Sequence, residues 1–203
     1  MKYFSIISIT LLMLICGISK SYGKLQAQFD YSAFYDNNNG AYLETYLSVF
    51  GKSAKFVLNE NNKYQASIEI TMIFKQNGSV ITFNKYNLLS PEISDTTEKF
   101  PNFVDLQRIS LPNGVYNFEL KIQDKNSEKE QYTHNDIISI DIPADAISIS
   151  GIQFIESYTE TTVNNMLSKN GYDMVPYVAG FFPANMDNLI FYAEIYNTIK
   201  EIE

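Results

Sequence analysis

A strict alternation of side chains over residues 64–74 constrains the fold of this chain more than any other feature. The even-numbered positions carry Tyr, Ala, Ile, Ile, Met and Phe, and the odd-numbered positions carry Gln, Ser, Glu, Thr and Ile. A period of two places successive side chains on opposite faces of a strand, so one face can enter a core while the other meets water. The same pattern recurs over residues 116–122 and 138–142. The sequence therefore predicts an all-β fold.

Turn signals separate these segments at short intervals. The dipeptides Asn77-Gly78 and Asn113-Gly114 tolerate the positive φ of tight hairpins. About seven or eight short strands, with turns roughly every 8–12 residues, are typical of an immunoglobulin-like antiparallel β-sandwich. We assign this sandwich to residues 28–145. Besides the alternating segments, its predicted strands cover residues 28–34, 42–50, 54–58, 79–88 and 104–111.

Tyr116 directly follows the turn sequence Leu-Pro-Asn-Gly-Val of residues 111–115. Sandwiches of this class place a tyrosine corner there, with the tyrosine hydroxyl bonded back to the upstream main chain. We therefore predict a structural role for Tyr116, either in a tyrosine corner or as an ordinary core residue.

Residues 148–203 are predicted to form a second β unit, incomplete or small, with a short helix at residues 159–169. Strand-like segments cover residues 147–155, 172–178 and 189–199. A sandwich domain takes about 100 residues, so this unit is too short to be a complete one. Unpaired strand edges would favour pairing with a partner protein in the envelope or with the remainder of a longer chain.

A pattern Tyr-x-Glu-x-Tyr occurs once in each predicted unit, in each case after an aromatic pair and a polar turn. The outer and middle residues of such a pattern share one face of a strand. The repetition indicates either a related pair of β units or a chance match. We take the six residues as a candidate interaction stripe: Tyr42, Glu44, Tyr46, Tyr192, Glu194 and Tyr196.

The N-terminus has the organisation of a secretory signal peptide, which we assign to residues 1–23. Lys2 precedes a largely apolar run of sixteen residues, 3–18. That run is shorter than the roughly 20 apolar residues that a stable membrane span needs. A positive start, a short apolar stretch and small residues after it favour export and removal of the segment. The alternative is an uncleaved anchor.

Small residues place the cleavage site between Gly23 and Lys24, with the bond between Ala27 and Gln28 as second choice. Cys16, the single cysteine, lies inside the removed segment behind the bulky Ile of position 15, which argues against a lipoprotein anchored there. After cleavage we expect no integral membrane protein, and residence in the periplasm or at the cell surface.

Charge and residue usage argue against most catalytic functions and against nucleic-acid binding. The net charge of −8 becomes −10 when residues 1–23 leave, and no basic stripe offsets it, so phosphate backbones are unsuitable partners. One His and no mature Cys argue against a zinc site, since zinc needs three or four ligands. His134 lies in a polar stretch, and the chain has no Gly-x-Ser-x-Gly nucleophile motif. We expect no enzyme, cofactor or metal.

The remaining function classes are binding functions. A non-catalytic structural or protein-interaction module of the cell envelope is the leading hypothesis. A glycan-binding module that uses exposed tyrosines is the alternative, because sugars stack on flat exposed rings. The chain has 15 Tyr and no Trp, and Tyr86 and Tyr132 are the tyrosines we expect at the surface.

Five short stretches carry a resemblance to a known family. They are residues 29–34, 41–46, 105–108, 111–116 and 191–196, and they span most of the mature chain. Together they resemble the N-terminal β-sandwich region of exported envelope proteins named for a downstream Gly-Trp-x-Thr-Asp motif. That motif is absent here, because the chain has no Trp. The resemblance implies a sandwich fold and export, and it implies no catalytic residues.

Overall fold

The structure of this protein is a computed structural model that describes residues 24–97, 99–128 and 130–201, without the side chains of residues 200 and 201. The predicted signal peptide, with Cys16 and Gly23, lies outside the described residues. Within these ranges, no helix combines the length and apolar character needed to cross a membrane.

Antiparallel strands make up most of the described chain, which confirms the all-β prediction. Two short 3-10 helices lie at Gly51–Ser53 and Thr198–Glu201. The strands are β1 (Ala27–Asp36), β2 (Gly40–Val49), β3 (Val57–Leu58), β4 (Tyr64–Gln65), β5 (Ser67–Gln76), β6 (Ser79–Leu89), β7 (Phe103–Ser110), β8 (Gly114–Asp124), β9 (Tyr132–Ile140), β10 (Ser148–Ile149), β11 (Gln153–Glu160), β12 (Ser168–Lys169), β13 (Tyr172–Pro176), β14 (Ile190–Tyr192) and β15 (Ile195–Tyr196).

Seven long strands form a sandwich of two sheets. One sheet has the order β1-β2-β7 and the other has the order β6-β5-β8-β9. Lettered A to G in chain order, these strands divide as A, B and E against C, D, F and G. Immunoglobulin domains also separate strands A, B and E from strands C, F and G. In the constant type, strand D lies in the sheet of A, B and E, whereas here it pairs with strand C.

The core between the two sheets follows from the alternation in the sequence. Ile68, Ile70, Met72 and Phe74, the apolar positions of β5, are fully buried. Aromatic contacts join the sheets. The ring of Phe29 on β1 stacks on the ring of Phe118 on β8, with the two centroids 5.0 Å apart. The polar positions of β5 face outward and are partly exposed.

The turn residues take the conformations that their identities favour. Asn77 and Gly78 have φ values of 51° and 82° and connect β5 to β6. Near the start of β8, the Tyr116 hydroxyl donates to the carbonyl oxygen of Pro112 at 2.7 Å, and the side chain is 2% exposed. That back-bonding is the geometry that defines a tyrosine corner.

A smaller β unit follows the sandwich. Its four-stranded sheet has the order β12-β13-β11-β14, and β10 pairs with β15 in a separate ladder. The predicted helix at residues 159–169 was wrong: β11 extends to Glu160, and a turn leads to β12. The Asn165 side chain accepts a hydrogen bond from the backbone N–H of Leu167. Such local bonds compete with helix formation. The helical spacing of Val163, Met166 and Leu167, on which the prediction depended, was too weak to outweigh them.

The second unit packs against β1, an edge strand of the sandwich. The backbone N–H of Gly151 donates to Ala33 O at 2.7 Å, and Ser32 Oγ donates to Ile152 O at 2.9 Å. A Cβ on Gly151 would lie 2.8 Å from Ala33 N, so glycine permits the close approach of the two backbones. The interface therefore includes direct main-chain contact.

Candidate functional site

Glu44 is the residue around which the interface between the two units is built. It lies in the middle of β2, where its register partners are Ser32 on β1 and Arg108 on β7, and it is fully buried. Its Oε1 accepts a hydrogen bond from Arg108 Nε at 2.7 Å. Its Oε2 accepts one from the hydroxyl of Tyr46 at 2.9 Å. A buried carboxylate needs such partners to stay charged.

Lys169 reaches the same carboxylate from the second unit. The short hairpin of β12 and β13 turns at Asn170-Gly171, and it brings Lys169 Nζ to 2.7 Å from Glu44 Oε1. Arg108 strengthens this contact, because its Nη2 donates to Ser168 O at 3.1 Å. One carboxylate therefore binds a cation from each unit.

Three aromatic rings enclose the Lys169 ammonium group. Its Nζ lies 3.4 Å from the centroid of Phe34, 5.1 Å from that of Tyr192 and 5.9 Å from that of Tyr42. Cations are attracted to the negative faces of aromatic rings, most strongly where water is excluded. We call the resulting group the interface cluster, and its members are Phe34, Tyr42, Glu44, Tyr46, Arg108, Lys169 and Tyr192.

The second Tyr-x-Glu-x-Tyr segment borders this cluster. Glu194 Oε1 accepts a hydrogen bond from the Tyr192 hydroxyl at 2.5 Å, and its Oε2 accepts one from Tyr196 at 2.7 Å. The Tyr196 hydroxyl in turn accepts a hydrogen bond from the backbone N–H of Tyr35 in β1 at 2.9 Å. The six residues of the predicted stripe thus lie together, and the structure places them between the units.

Burial sets the protonation behaviour of this region. It lowers the pKa of the Lys169 ammonium, and the negative charge of Glu44 opposes that effect. It raises the pKa of Tyr46, and the neighbouring Glu44 carboxylate adds to the rise. Burial, together with Glu194, raises the pKa of Tyr192 and Tyr196 in the same way. The tyrosines are therefore held as neutral donors to the two carboxylates.

The hydrogen bonds and ion pairs of this arrangement join the two units. Both oxygens of Glu44 and of Glu194 already accept hydrogen bonds from side chains of the protein. A general base must instead face a proton of the substrate. Within the described ranges, no three His, Cys, Asp or Glu side chains are grouped closely enough to hold a metal ion.

Comparisons with known proteins identified no similar protein. Protein-family models, curated proteins and solved structures were searched, and none matched this chain. The resemblance to the exported envelope proteins therefore stays a hypothesis that depends on the strand and turn patterns.

Three members of the interface cluster were missed as site residues by sequence reasoning: the ring of Phe34 and the two cations. Arg108 and Lys169 are far apart in the chain, and no periodicity links them to Glu44. One signal was present, since Asn170-Gly171 is a hairpin dipeptide directly after Lys169. A hairpin there, in place of the predicted helix, would have put Lys169 on a strand next to the turn.

The tyrosines considered for glycan binding do not form a platform. Tyr86 is half-buried on β6 and its hydroxyl bonds to the Asp105 carboxylate on β7. Tyr132 is exposed on β9, at the opposite edge of the same sheet. In the second unit, the rings of Tyr158 and Tyr172 meet at 74°, edge to face. Sugar stacking needs an accessible ring face, and within the described ranges none of these four tyrosines has a coplanar ring beside it.

The second unit exposes a wide apolar surface. A groove of about 320 Å³ lies on its four-stranded sheet, lined by Ile155, Tyr158, Asn170, Tyr172, Met174, Ile190, Phe191 and Tyr192. Phe191 is 58% exposed, and Phe181, in the loop between β13 and β14, is 65% exposed. Single exposed apolar residues are ordinary, whereas the side chains that line the groove form a continuous apolar surface.

Proposed function

We propose that this protein is a non-catalytic, exported interaction module of the cell envelope, in which the sandwich carries the second unit and the second unit contacts a partner protein. The observation that carries this proposal is an aromatic groove that stays open to solvent next to the contacts that hold the second unit on the sandwich. Tyr192 belongs to the interface cluster and also lines the groove, so the groove directly adjoins the interface with the sandwich.

Fixing the second unit serves binding because a rigid surface loses little conformational freedom when a partner docks. The contacts of Lys169, Arg108 and Gly151 hold the small sheet in one orientation against β1 and β2. A small sheet with a groove, held in this way, is suited to recognition.

Export is supported by the signal peptide predicted at residues 1–23. The resemblance to the front region of envelope proteins named for the Gly-Trp-x-Thr-Asp motif points to the same compartment. Together they favour the periplasm or the cell surface as the place where the partner is met.

Site-specific photo-crosslinking in the native envelope tests the proposal. A photoreactive amino acid replaces Phe191 on β14 in one protein and Phe83 on β6 in the control, since Phe83 is 68% exposed on the outer face of the sandwich. We expect a discrete protein adduct from position 191 and none from position 83. Equal adducts from both positions, or retention of the chain on envelope polysaccharide without any protein adduct, would contradict it.

A further inference from the structure

One edge of β11 is open beside the groove. On one side β11 pairs with β13 through Ile155 and residues 157–160, and on the other side it pairs with β14 through Gln153–Ile155 only. Beyond Ile155, residues 156–160 have no ladder partner on the β14 side among the residues that the structure describes. All five are exposed.

The backbone groups that face this open side can be identified from the ladder. The N–H of Thr161 donates to Gly171 O at 2.9 Å, so Thr161 bonds toward β13. In antiparallel pairs, residues alternate between bonding to a given neighbour and facing away from it. Thr159 therefore bonds toward β13, while Tyr158 and Glu160 direct their N–H and C=O groups to the open side. This leaves four backbone groups for an added strand.

The groove adjoins the same edge. Tyr158 and Glu160 pair with Met174 and Tyr172, and the side chains of Tyr158, Met174 and Tyr172 line the groove. A strand added along β11 would project alternate side chains over that groove, because paired residues share a face. Main-chain bonds would give affinity, and the groove would select apolar side chains.

The charge of the open strand restricts which kind of segment can pair with it. Glu156 and Glu160 lie exposed on the open strand, and neither forms an ion pair with a residue in the described part of the chain. A second copy added antiparallel at Tyr158 would set Glu156 opposite Glu160, and like charges placed directly opposite destabilise a sheet. A segment that carries Lys or Arg would gain from the same charges.

We infer that residues 156–160 of β11 accept an extended segment of another protein as an added strand, with apolar side chains at alternate positions and Lys or Arg beside them. This inference rests on the proposed interaction function and names the site and the kind of partner. Of the other long edge strands, β6 is protected, since it carries Lys85 and a bulge at Ile81, opposite the step from Phe74 to Lys75, two features that discourage strand addition.

The probe is a fluorescein-labelled octapeptide in which Val or Ile alternates with Thr between terminal lysines. Its binding to the purified full mature chain is measured by fluorescence anisotropy. Peptides with terminal glutamates, or with a central proline, serve as controls. We expect saturable binding of the lysine peptide and at least about tenfold weaker binding of both controls. Absence of binding at millimolar chain concentration overturns the inference.

Substitution of one residue separates backbone pairing from side-chain contact. Glu160→Pro removes an N–H on the open side, whereas Glu160→Ala keeps it and removes the same carboxylate. Proline is tolerated where the lost N–H faces solvent, so the fold should persist, which circular dichroism checks. We expect Glu160→Pro to weaken peptide binding at least about fivefold relative to Glu160→Ala. Equal binding by the two variants overturns strand addition at this edge.

The photo-crosslinking experiment distinguishes this inference from the proposed function. If the adduct at position 191 is lost with Glu160→Pro and kept with Glu160→Ala, the partner uses the open edge of β11. If the adduct is unchanged in both variants, the chain is still an interaction module and the edge is not its site. If no adduct forms in any variant, the proposed function itself fails.

Discussion

Glu44 is a fully buried acidic side chain on the central strand of its sheet, and its partners explain why it is tolerated there. Removing a carboxylate from water is costly, and Glu44 recovers that cost through Arg108, Tyr46 and Lys169. A buried ion pair adds little net stability compared with a well-packed apolar pair. The pair also fixes an orientation, because it joins the hairpin of β12 and β13 in the second unit to the middle of β2 in the sandwich.

Loss of the Glu44 charge should therefore be strongly destabilising. We expect Glu44→Gln to lower the free energy of unfolding by about 3–5 kcal/mol, since two cations lose their anion in a buried site. Urea denaturation measures the change. Glu194→Gln is the matched control from the second Tyr-x-Glu-x-Tyr segment, and we expect a loss of about 1 kcal/mol there, because its partners are neutral tyrosines. Equal losses would show that the ion pairs do not set the cost.

Tyr46 should make stability sensitive to high pH. Its pKa is raised above the ordinary value of 10 by burial and by Glu44. Below pH 10 the tyrosine is protonated in both states, so its contribution is constant. Above pH 10 it ionises in the unfolded chain first, the folded state binds more protons, and stability falls as pH rises.

Comparison of wild type with Tyr46→Phe isolates this effect. We expect the wild-type free energy of unfolding to fall more steeply above pH 10, by about 1.4 kcal/mol per pH unit, than that of the variant. Urea denaturation at pH 9 and pH 11 provides the two values. Parallel slopes would mean that Tyr46 ionises with an ordinary pKa.

At the scale of elements, local pattern was sufficient for the sandwich and insufficient for the interface. Alternation in β5 and the Asn77-Gly78 turn determine strand, face and connection within a few residues of one another. Residues 159–169 have three apolar side chains at helical spacing, but pairing of β11 with β13 and the bonds of Asn165 decided their structure. The stripe around Glu44 and Glu194 was visible as a repeat. Its cations were not, because long-range contacts leave no periodic signal.

Gly151 tests how closely the two units must approach. A methyl group there would meet Ala33 N at 2.8 Å and Ser32 Cα at 3.1 Å, both of them backbone atoms. We expect Gly151→Ala to destabilise the protein by about 1–3 kcal/mol, measured by thermal unfolding. Gly180→Ala is the control, since a Cβ at Gly180 meets nothing within 4 Å. An unchanged melting temperature for Gly151→Ala would contradict the close packing on β1.

At the scale of the whole molecule, the sequence predicts a processed, exported chain. We expect the protein recovered from the envelope or periplasm to begin at Lys24, with Gln28 as the second possibility, as read by N-terminal sequencing and intact mass. Replacing Leu11 and Leu12 by Arg should leave an unprocessed precursor inside the cell, because it breaks the apolar run that export needs. A mature mass that includes a lipid on Cys16 would contradict cleavage before Lys24 and would show that the protein is a lipoprotein.

The sandwich and the second unit should behave as two parts of unequal stability joined by the Lys169 contact. The sandwich has its own core between two sheets, whereas the buried apolar side chains that the second unit shares with it are few: Tyr46, Leu106 and Val178. Lys169→Met keeps the apolar contact with Phe34 and removes the charge. Glu44 then retains Arg108, so the sandwich loses less than the second unit does.

Hydrogen exchange followed by mass spectrometry resolves the two parts. We expect Lys169→Met to speed exchange of the β13 amides about 10–100-fold, the effect of losing one buried ion pair, while the β5 amides change by less than about threefold. Lys125→Met is the control, because that lysine pairs with Glu69 on the outer face of the sandwich. Equal acceleration in β5 and β13 would show that both units open as one body, and no acceleration in either would show that Lys169 does not hold them together.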